Sequence, residues 1–247
     1  MAGSLSYARI ADRYEQVRGG EHRAKELADA LLPWLPEGVV CDVGAGTAVV
    51  TQRLAGPSRQ VFACDISFEM LRQATSRVPG QAFLGEATGL PLRDGCLDAV
   101  TFVSVLHHVG ALDLALSEAY RVLRIGGRVL TISGVSHPAE DDMAPIFERL
   151  HDQLRPERRG QAWSAVAAGK DAGFEIVHEG LARTTTSVSP HGLDDAMEER
   201  LFSHLWDLTD ARWHQRVVPA IAELRSLPKP HTPRLRVFSH PFAVLAK

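Results

Sequence analysis

The sequence lacks most of the features that would assign it quickly. Its 27 Lys and Arg stand against 30 Asp and Glu, a formal net charge of −3. With no basic excess to neutralise a phosphate backbone, extended nucleic-acid binding is disfavoured and there is room only for a small basic patch. No apolar run approaches the roughly 20 residues of a membrane-spanning helix. The N-terminus has no signal-peptide pattern, so a soluble cytoplasmic protein with no membrane partner is expected. Cysteine is scarce: Cys41, Cys64 and Cys96, an odd number. They have no paired C-x-x-C spacing, which removes the usual zinc signature, and no metal site is expected. Two of them fall in predicted core strands, where cysteine serves as a small buried hydrophobe.

What is present centres on residues 39–50, Val-Val-Cys-Asp-Val-Gly-Ala-Gly-Thr-Ala-Val-Val. A short β-branched run of this kind makes a buried parallel strand. It breaks at Gly44-Ala45-Gly46 and is expected to resume as a helix. Glycine supplies positive φ and lets backbone approach a ligand closely. A helix N-terminus behind such a turn would aim free N–H groups at it, forming a polar cradle at the carboxyl edge of a sheet. Nucleotide, flavin and sulfonium cofactors all use such a turn. A dinucleotide fingerprint wants glycine or alanine three residues after the second glycine, and Val49 occupies that position.

Residues 60–64 form a second apolar run that ends in Asp65-Ile66-Ser67-Phe68-Glu69-Met70-Leu71. A carboxylate at that strand end can accept from both hydroxyls of a ribose. Ser67 is positioned to cap the next helix, and Met70 to pack near an adenine face.

Asp42, Gly44 and Gly46 on alternate positions, followed at the right distance by Asp65, resemble the first two motifs of class I S-adenosylmethionine-dependent methyltransferases. The resemblance spans roughly residues 6–133 and includes Arg121 to Gly127, an architectural segment in which Ile125 replaces the common proline. It implies a seven-stranded Rossmann-like α/β sheet with the last strand antiparallel, helices on both faces and S-adenosyl-L-methionine as cofactor. The contacts it implies are Asp42, Gly44, Ala45 and Gly46 at the turn, Asp65, Ile66 and Met70 after the second strand, and Ser104 after the fourth. Glu86 and Ala87 match the segment that meets the adenine, with Glu where Asp is more usual. Residues 10–18 are similar to the family's opening and place Tyr14 and Arg18 on one helical face, as an aromatic lid and a partner for the methionine carboxylate.

Four segments are expected: a helical lid over residues 1–36, the cofactor-binding core over 37–186, a helical cap over 187–229 and the last core strand over 230–247. Ala24, Leu27, Ala28 and Leu31 recur at helical spacing in the lid. Residues 112–123 form a helix that Gly126-Gly127 stops, followed by a fifth strand from Val129, and a sixth strand reaches about Thr184. In the cap, Met197, Leu201, Leu205 and Leu208 mark one helix and Trp213, Val217, Ile221 and Leu224 another, with Asp210 as a cap between them. Phe202, Trp206 and Trp213 would line an apolar acceptor cavity or form the cap's own core. His204 and His214 would reach the same pocket, and no metal site is expected there.

Methyl transfer needs alignment and exclusion of water more than it needs a nucleophilic side chain. For a phenol or alcohol acceptor, His107 or His108 would be the base; adjacent histidines point in different directions, so at most one faces the substrate. The expected function is methyl transfer to a small-molecule acceptor through an O, N or C nucleophile, as in ubiquinone/menaquinone biosynthesis or secondary-metabolite tailoring. A nicotinamide-dependent dehydrogenase and a non-catalytic S-adenosylmethionine-binding protein are the alternatives. A tRNA methyltransferase is less favoured, since the basic loop at Arg155, Arg158 and Arg159 is small. A monomer or homodimer is compatible with the sequence.

Overall fold

The computed structural model describes residues 19–134, 141–154, 164–206 and 208–247. One sheet contains β1 (Gly38–Val43), β2 (Arg59–Asp65), β3 (Ala82–Leu84), β4 (Leu97–Val103), β5 (Leu123–Ile132), β6 (Glu175–Val188) and β7 (Arg234–Ala246). Their order is 3-2-1-4-5-7-6. β1 to β5 pair in parallel, whereas β7 runs antiparallel to both β5 and β6. The order reverses between β1 and β4, which opens a crevice at their carboxyl ends.

The helices are α1 (Gly20–Leu31), α2 (Thr51–Leu54), α3 (Phe68–Ala74), α4 (Leu112–Val122), α5 (Ala144–Leu154), α6 (Ser164–Asp171), α7 (Pro190–Glu198), α8 (Asp210–Arg212) and α9 (Val218–Ser226). Strand alternation divides the core into two layers. Cys41, Val43, Val100 and Phe102 face α4 through Leu116 and Ala119. Val40, Val61, Ala99 and Leu130 face α1 through Leu27 and Leu31. Each such large apolar side chain contributes roughly 1.5–3 kcal/mol by leaving water. Ala24, Leu27, Ala28 and Leu31 are the buried stripe of α1, as their spacing predicts.

Several local expectations are corrected. The helix behind the glycine turn begins only at Thr51 and has four residues. Gly44, Gly46 and Ala48 take positive φ of 73°, 57° and 60°, and that alternation keeps the chain out of the right-handed helical region. Gly126-Gly127 does not stop α4. The helix ends at Val122, and Leu123 is already extended and paired with Leu97. The glycine pair instead lies in an excursion of β5 between the pairs Leu97↔Leu123 and Ala99↔Arg128. A Cβ on Gly127 would come within 2.9 Å of the Arg124 carbonyl oxygen.

β6 continues past Thr184 to Val188. Its pairing with β7 runs on from Gly180↔Phe242, level with the end of β5 at Ile132, to Val188↔Arg234. Eight residue pairs therefore extend beyond the carboxyl edge as a two-stranded ribbon, roughly 25 Å long at about 3.4 Å per residue. The segment between Val188 and Arg234 hangs from its tip. There α7 ends at Glu198, Arg200 turns left-handed at φ 53°, and a 3₁₀ turn (Ser203–Leu205) replaces the second half of the expected helix. Thr209, not Asp210, caps the next helical stretch, its hydroxyl accepting from the Arg212 N–H. That stretch runs through α8, a π-turn (Trp213–Val217) and α9. Met197, Leu205 and Leu224 pack with Met143, Ile146 and Leu150, so α5 belongs to the same separate apolar cluster.

Candidate active site

Asp42 and the glycine turn occupy the end of β1. Asp42 is buried, and each of its oxygens accepts from a threonine hydroxyl: Thr51 of α2 at 2.6 Å and Thr101 of β4 at 2.7 Å. Burial pushes its carboxyl up to about 6, and the two hydroxyls only partly oppose that shift. Asp42 therefore braces β1, α2 and β4 together and has no oxygen facing the crevice without a partner.

The turn's amides are also committed. Gly44 and Ala45 both donate to the Cys64 carbonyl, at 2.8 and 3.0 Å. Gly46 donates to Asp65 Oδ2 at 2.8 Å. The expected cradle of free N–H groups is thus closed, because buried amides take the nearest acceptors of β2. The two glycines do different work. A Cβ on Gly44 would meet Val105 Cγ2 at 2.2 Å, so this glycine makes room for the chain's own side chain. A Cβ on Gly46 would meet nothing within 4 Å, so this is where bare backbone faces open space.

Across the turn, Asp65 Oδ1 accepts from the Ser67 N–H at 2.8 Å, and Ser67 caps α3 through its hydroxyl and the Met70 N–H. Burial raises the Asp65 carboxyl, opposed by backbone donors at Ser67, Gly46 and Ile66. Each carboxylate oxygen has two lone pairs and accepts from backbone, which leaves capacity for further donors. Ile66 is 62% exposed beside it, whereas Met70 is buried beneath α3. Of those two, Ile66 therefore offers apolar surface to a ligand. Phe68 at the start of α3 and Leu84 at the end of β3, exposed by 62% and 52%, add further apolar surface; sequence reasoning missed both. Glu86 is exposed in a turn closed by the Gly89 N–H on its carbonyl, and Ala87 is half-buried.

The third strand end carries Ser104, whose φ is 56° and whose N–H donates to the Ile132 carbonyl at 2.8 Å. Among the described residues only four other than glycine take positive φ, and two of them, Ala48 and Ser104, flank this crevice. Such strain persists where surrounding structure enforces it, characteristically at functional sites. His107 and His108 follow on a 3₁₀ turn (Leu106–His108). Their rings do not diverge as expected: the centroids are 3.8 Å apart with a 44° tilt. His107 leans on Gly134, where a Cβ would lie 2.1 Å from its ring.

Two more residues complete the surroundings without any warning in the sequence. His240 of β7 is buried, with Nδ1 3.1 Å from the Ser133 carbonyl and Nε2 2.9 Å from the Thr184 hydroxyl. A carbonyl only accepts, so these partners assign the proton to Nδ1. Arg23 of α1 donates to Ser104 Oγ at 3.2 Å. Tyr14 and Arg18 lie outside the described residues. In the cap, ligand atoms of His191, Asp194 and Asp195 fall within 4.8 Å of one another, but the cation already facing buried Asp194 is Arg225, at 2.9 Å. Trp206 donates to the Arg200 carbonyl and Trp213 lies under the Arg200 guanidinium, so both serve the cap itself.

Comparison with known proteins bears on the family and the fold. Residues 41–131 match the family model described as a methyltransferase domain. The chain is 35% identical over 179 residues to malonyl-[acyl-carrier protein] O-methyltransferase of Herminiimonas arsenicoxydans, spanning 70% of this chain and 66% of that protein. It is 31% identical over 212 residues to the ubiquinone/menaquinone biosynthesis C-methyltransferase of Methylobacterium nodulans, spanning 79% of this chain and 81% of that one. Haemonchus contortus phosphoethanolamine N-methyltransferase 2, solved in complex with S-adenosyl-L-methionine, shares the fold with a TM-score of 0.54 at 18% identity, over 99% of this chain and 60% of its own.

Proposed function

We propose, because the chain belongs to the class I S-adenosylmethionine-dependent methyltransferases, that its acceptor is a small organic molecule of the quinone-like or secondary-metabolite kind, methylated in the cytoplasm at the crevice between β1 and β4. The observation that carries the site assignment is the pairing of Asp65 with Gly46: a carboxylate with spare lone pairs beside bare backbone that faces open space. Those groups fit an adenosyl cofactor, the carboxylate taking the ribose diol, Ile66 lying against the base and Gly46 admitting the amino-acid chain. Glu86 and Ala87 follow β3 on the adenine side.

A sulfonium cofactor supplies an electrophilic methyl group, and transfer to a nucleophile leaves the sulfur neutral. The protein's part is to align the two reactants and exclude water. Asp42 keeps β1, α2 and β4 in register so that the turn and Ser104 hold their strained shapes. The imidazoles of His107 and His108 lie beyond β4, where one of them accepts the proton of an O–H acceptor. The two relatives differ in the atom they are named for, oxygen in one and carbon in the other, so the acceptor atom is set by the acceptor-side residues rather than by the turn.

A panel of phenols, hydroquinones, carboxylic acids and amines incubated with methyl-labelled cofactor tests this reading. Label is expected in one acceptor class; label only in tRNA or protein would overturn the small-molecule assignment. Calorimetry with S-adenosylhomocysteine and NAD separates the methyltransferase from a dehydrogenase.

A further inference from the structure

We propose that two copies of this chain join edge to edge along β6, running antiparallel about a two-fold axis at Leu181. β6 ends the sheet, with β7 as its neighbour on the inner side. In an antiparallel ladder alternate residues turn their N–H and C=O groups to opposite sides. Thr185 turns outward, because its N–H donates to Glu26 Oε2 at 2.8 Å. The register with β7 is unbroken from His178 to Val188, so Arg183, Leu181 and Glu179 turn outward as well. The outward N–H and C=O groups of those residues meet no partner among the described residues, and a row of such groups is a template for another strand.

The open stretch has a stop at each end. On the sheet side the register slips between Ile176 and His178, which leaves Val177 as an extra residue. On the ribbon side Glu26 of α1 takes both the N–H and the hydroxyl of Thr185. Val177 and Thr185 lie equally far from Leu181 along the chain, so Leu181 is the midpoint of what remains open. A second copy turned about that midpoint sets Leu181 opposite itself and Glu179 opposite Arg183, once on each side of the axis. The outward groups of all three residues then pair as a regular antiparallel ladder.

The side chains suit the same register. Glu179, Leu181 and Arg183 share one face of the strand and are exposed, Leu181 by 56%, and neither charge has an ion-pair partner among the described residues. On the opposite face Ala182 and Thr184 are already buried, so pairing at the edge leaves that packing alone. Charged side chains often guard an edge strand, but a guard has to repel its own copy. Here the mirror positions carry opposite signs with an exposed leucine between them, so the edge attracts a second copy.

Sedimentation equilibrium tests both the dimer and its register. The weight-average mass is expected to rise from 27.0 kDa towards twice that value as protein concentration goes from about 1 to about 100 μM, a range suited to a small interface. Glu179→Arg sets like charges opposite each other on both sides of the axis, as does Arg183→Glu, and each should weaken self-association by about 10- to 100-fold. An equal mixture of those two variants should restore association, because one then carries only positive charge on this edge and the other only negative. Leu181→Pro deletes the N–H at the axis, and proline is tolerated on an edge strand where that N–H faces outward, so this variant should keep its circular dichroism spectrum and lose self-association. Wild type that stays at 27.0 kDa over the whole concentration range overturns the proposal. So does a dimer that either charge reversal leaves intact, or one that the mixture fails to restore, since its interface then lies elsewhere.

Discussion

The carboxyl-edge crevice and the cap are held together by different kinds of contact. At the crevice, polar groups from neighbouring strand ends bind one another at close range: Asp42 with two threonines, Asp65 with Gly46 and Ser67. The cap has an apolar cluster of its own, and ion pairs join α5, and the residues just before it, to more distant parts of the chain. Buried Arg236 of the ribbon meets Asp141 at 2.5 Å with its guanidinium over Phe147 and Phe238, and Arg149 of α5 meets Glu223 of α9. The crevice is thus an extension of the sheet, whereas the cap is a second small core attached through the β6–β7 ribbon. The polar groups of the crevice are constrained by their neighbours in the sheet, whereas the cap's own core can vary without disturbing them.

Four measurements would break or sharpen this contrast. The largest effect is expected from Leu205→Ala, which empties a fully buried position in the cap cluster. It should cost about 2–5 kcal/mol of cap stability in urea unfolding, yet leave affinity for S-adenosylhomocysteine within about twofold. A proportionate loss of cofactor affinity would show that the two cores are one.

Asp42 comes next. Its carboxyl rises from 3.8 unfolded to about 6 in the folded protein. The folded state then binds this proton more readily, so the group's contribution to stability is greatest at low pH and falls as pH rises from about 4 to about 6. The span is at most about 3 kcal/mol. Asp42→Asn removes the slope, and the variant should gain on wild type by up to that amount between pH 4 and 7. Parallel stability curves would refute the assignment.

Asp65→Ala is expected to weaken S-adenosylhomocysteine about 10- to 100-fold, from loss of charge-assisted hydrogen bonds, while retaining the native circular dichroism spectrum. Unchanged affinity would remove the ribose assignment. Ser67→Ala, which deletes the α3 cap, should cost about 1 kcal/mol and shift affinity only slightly. A larger shift in affinity than in stability would mean that Ser67 touches the ligand.

Much of the sheet was legible because local rules govern it. The β-branched runs at β1 and β4, the glycines after β1 and the acid ending β2 each announce themselves within a few residues. The same locality misled the reading of what those glycines do. Gly44 is a glycine because of Val105, 61 positions on, and the turn's amides are closed by Cys64 and Asp65 of the next strand. Nothing in residues 44–46 carries that information. His240 with Ser133 and Arg23 with Ser104 were illegible for the same reason, being contacts between elements 107 and 81 residues apart. In the cap, the helical periodicity of Met197, Leu201, Leu205 and Leu208 was genuine but did not reveal that the chain reverses hand at Arg200.

The ribbon has a practical consequence. Its last pair, Val188 and Arg234, are cross-strand neighbours, a separation of about 5 Å that a two-residue hairpin turn spans without disturbing any pair below it. The segment between them is therefore a cassette whose two ends meet: a version without it should keep an intact sheet with a shorter handle, while Met143, Ile146 and Leu150 lose the partners they pack on.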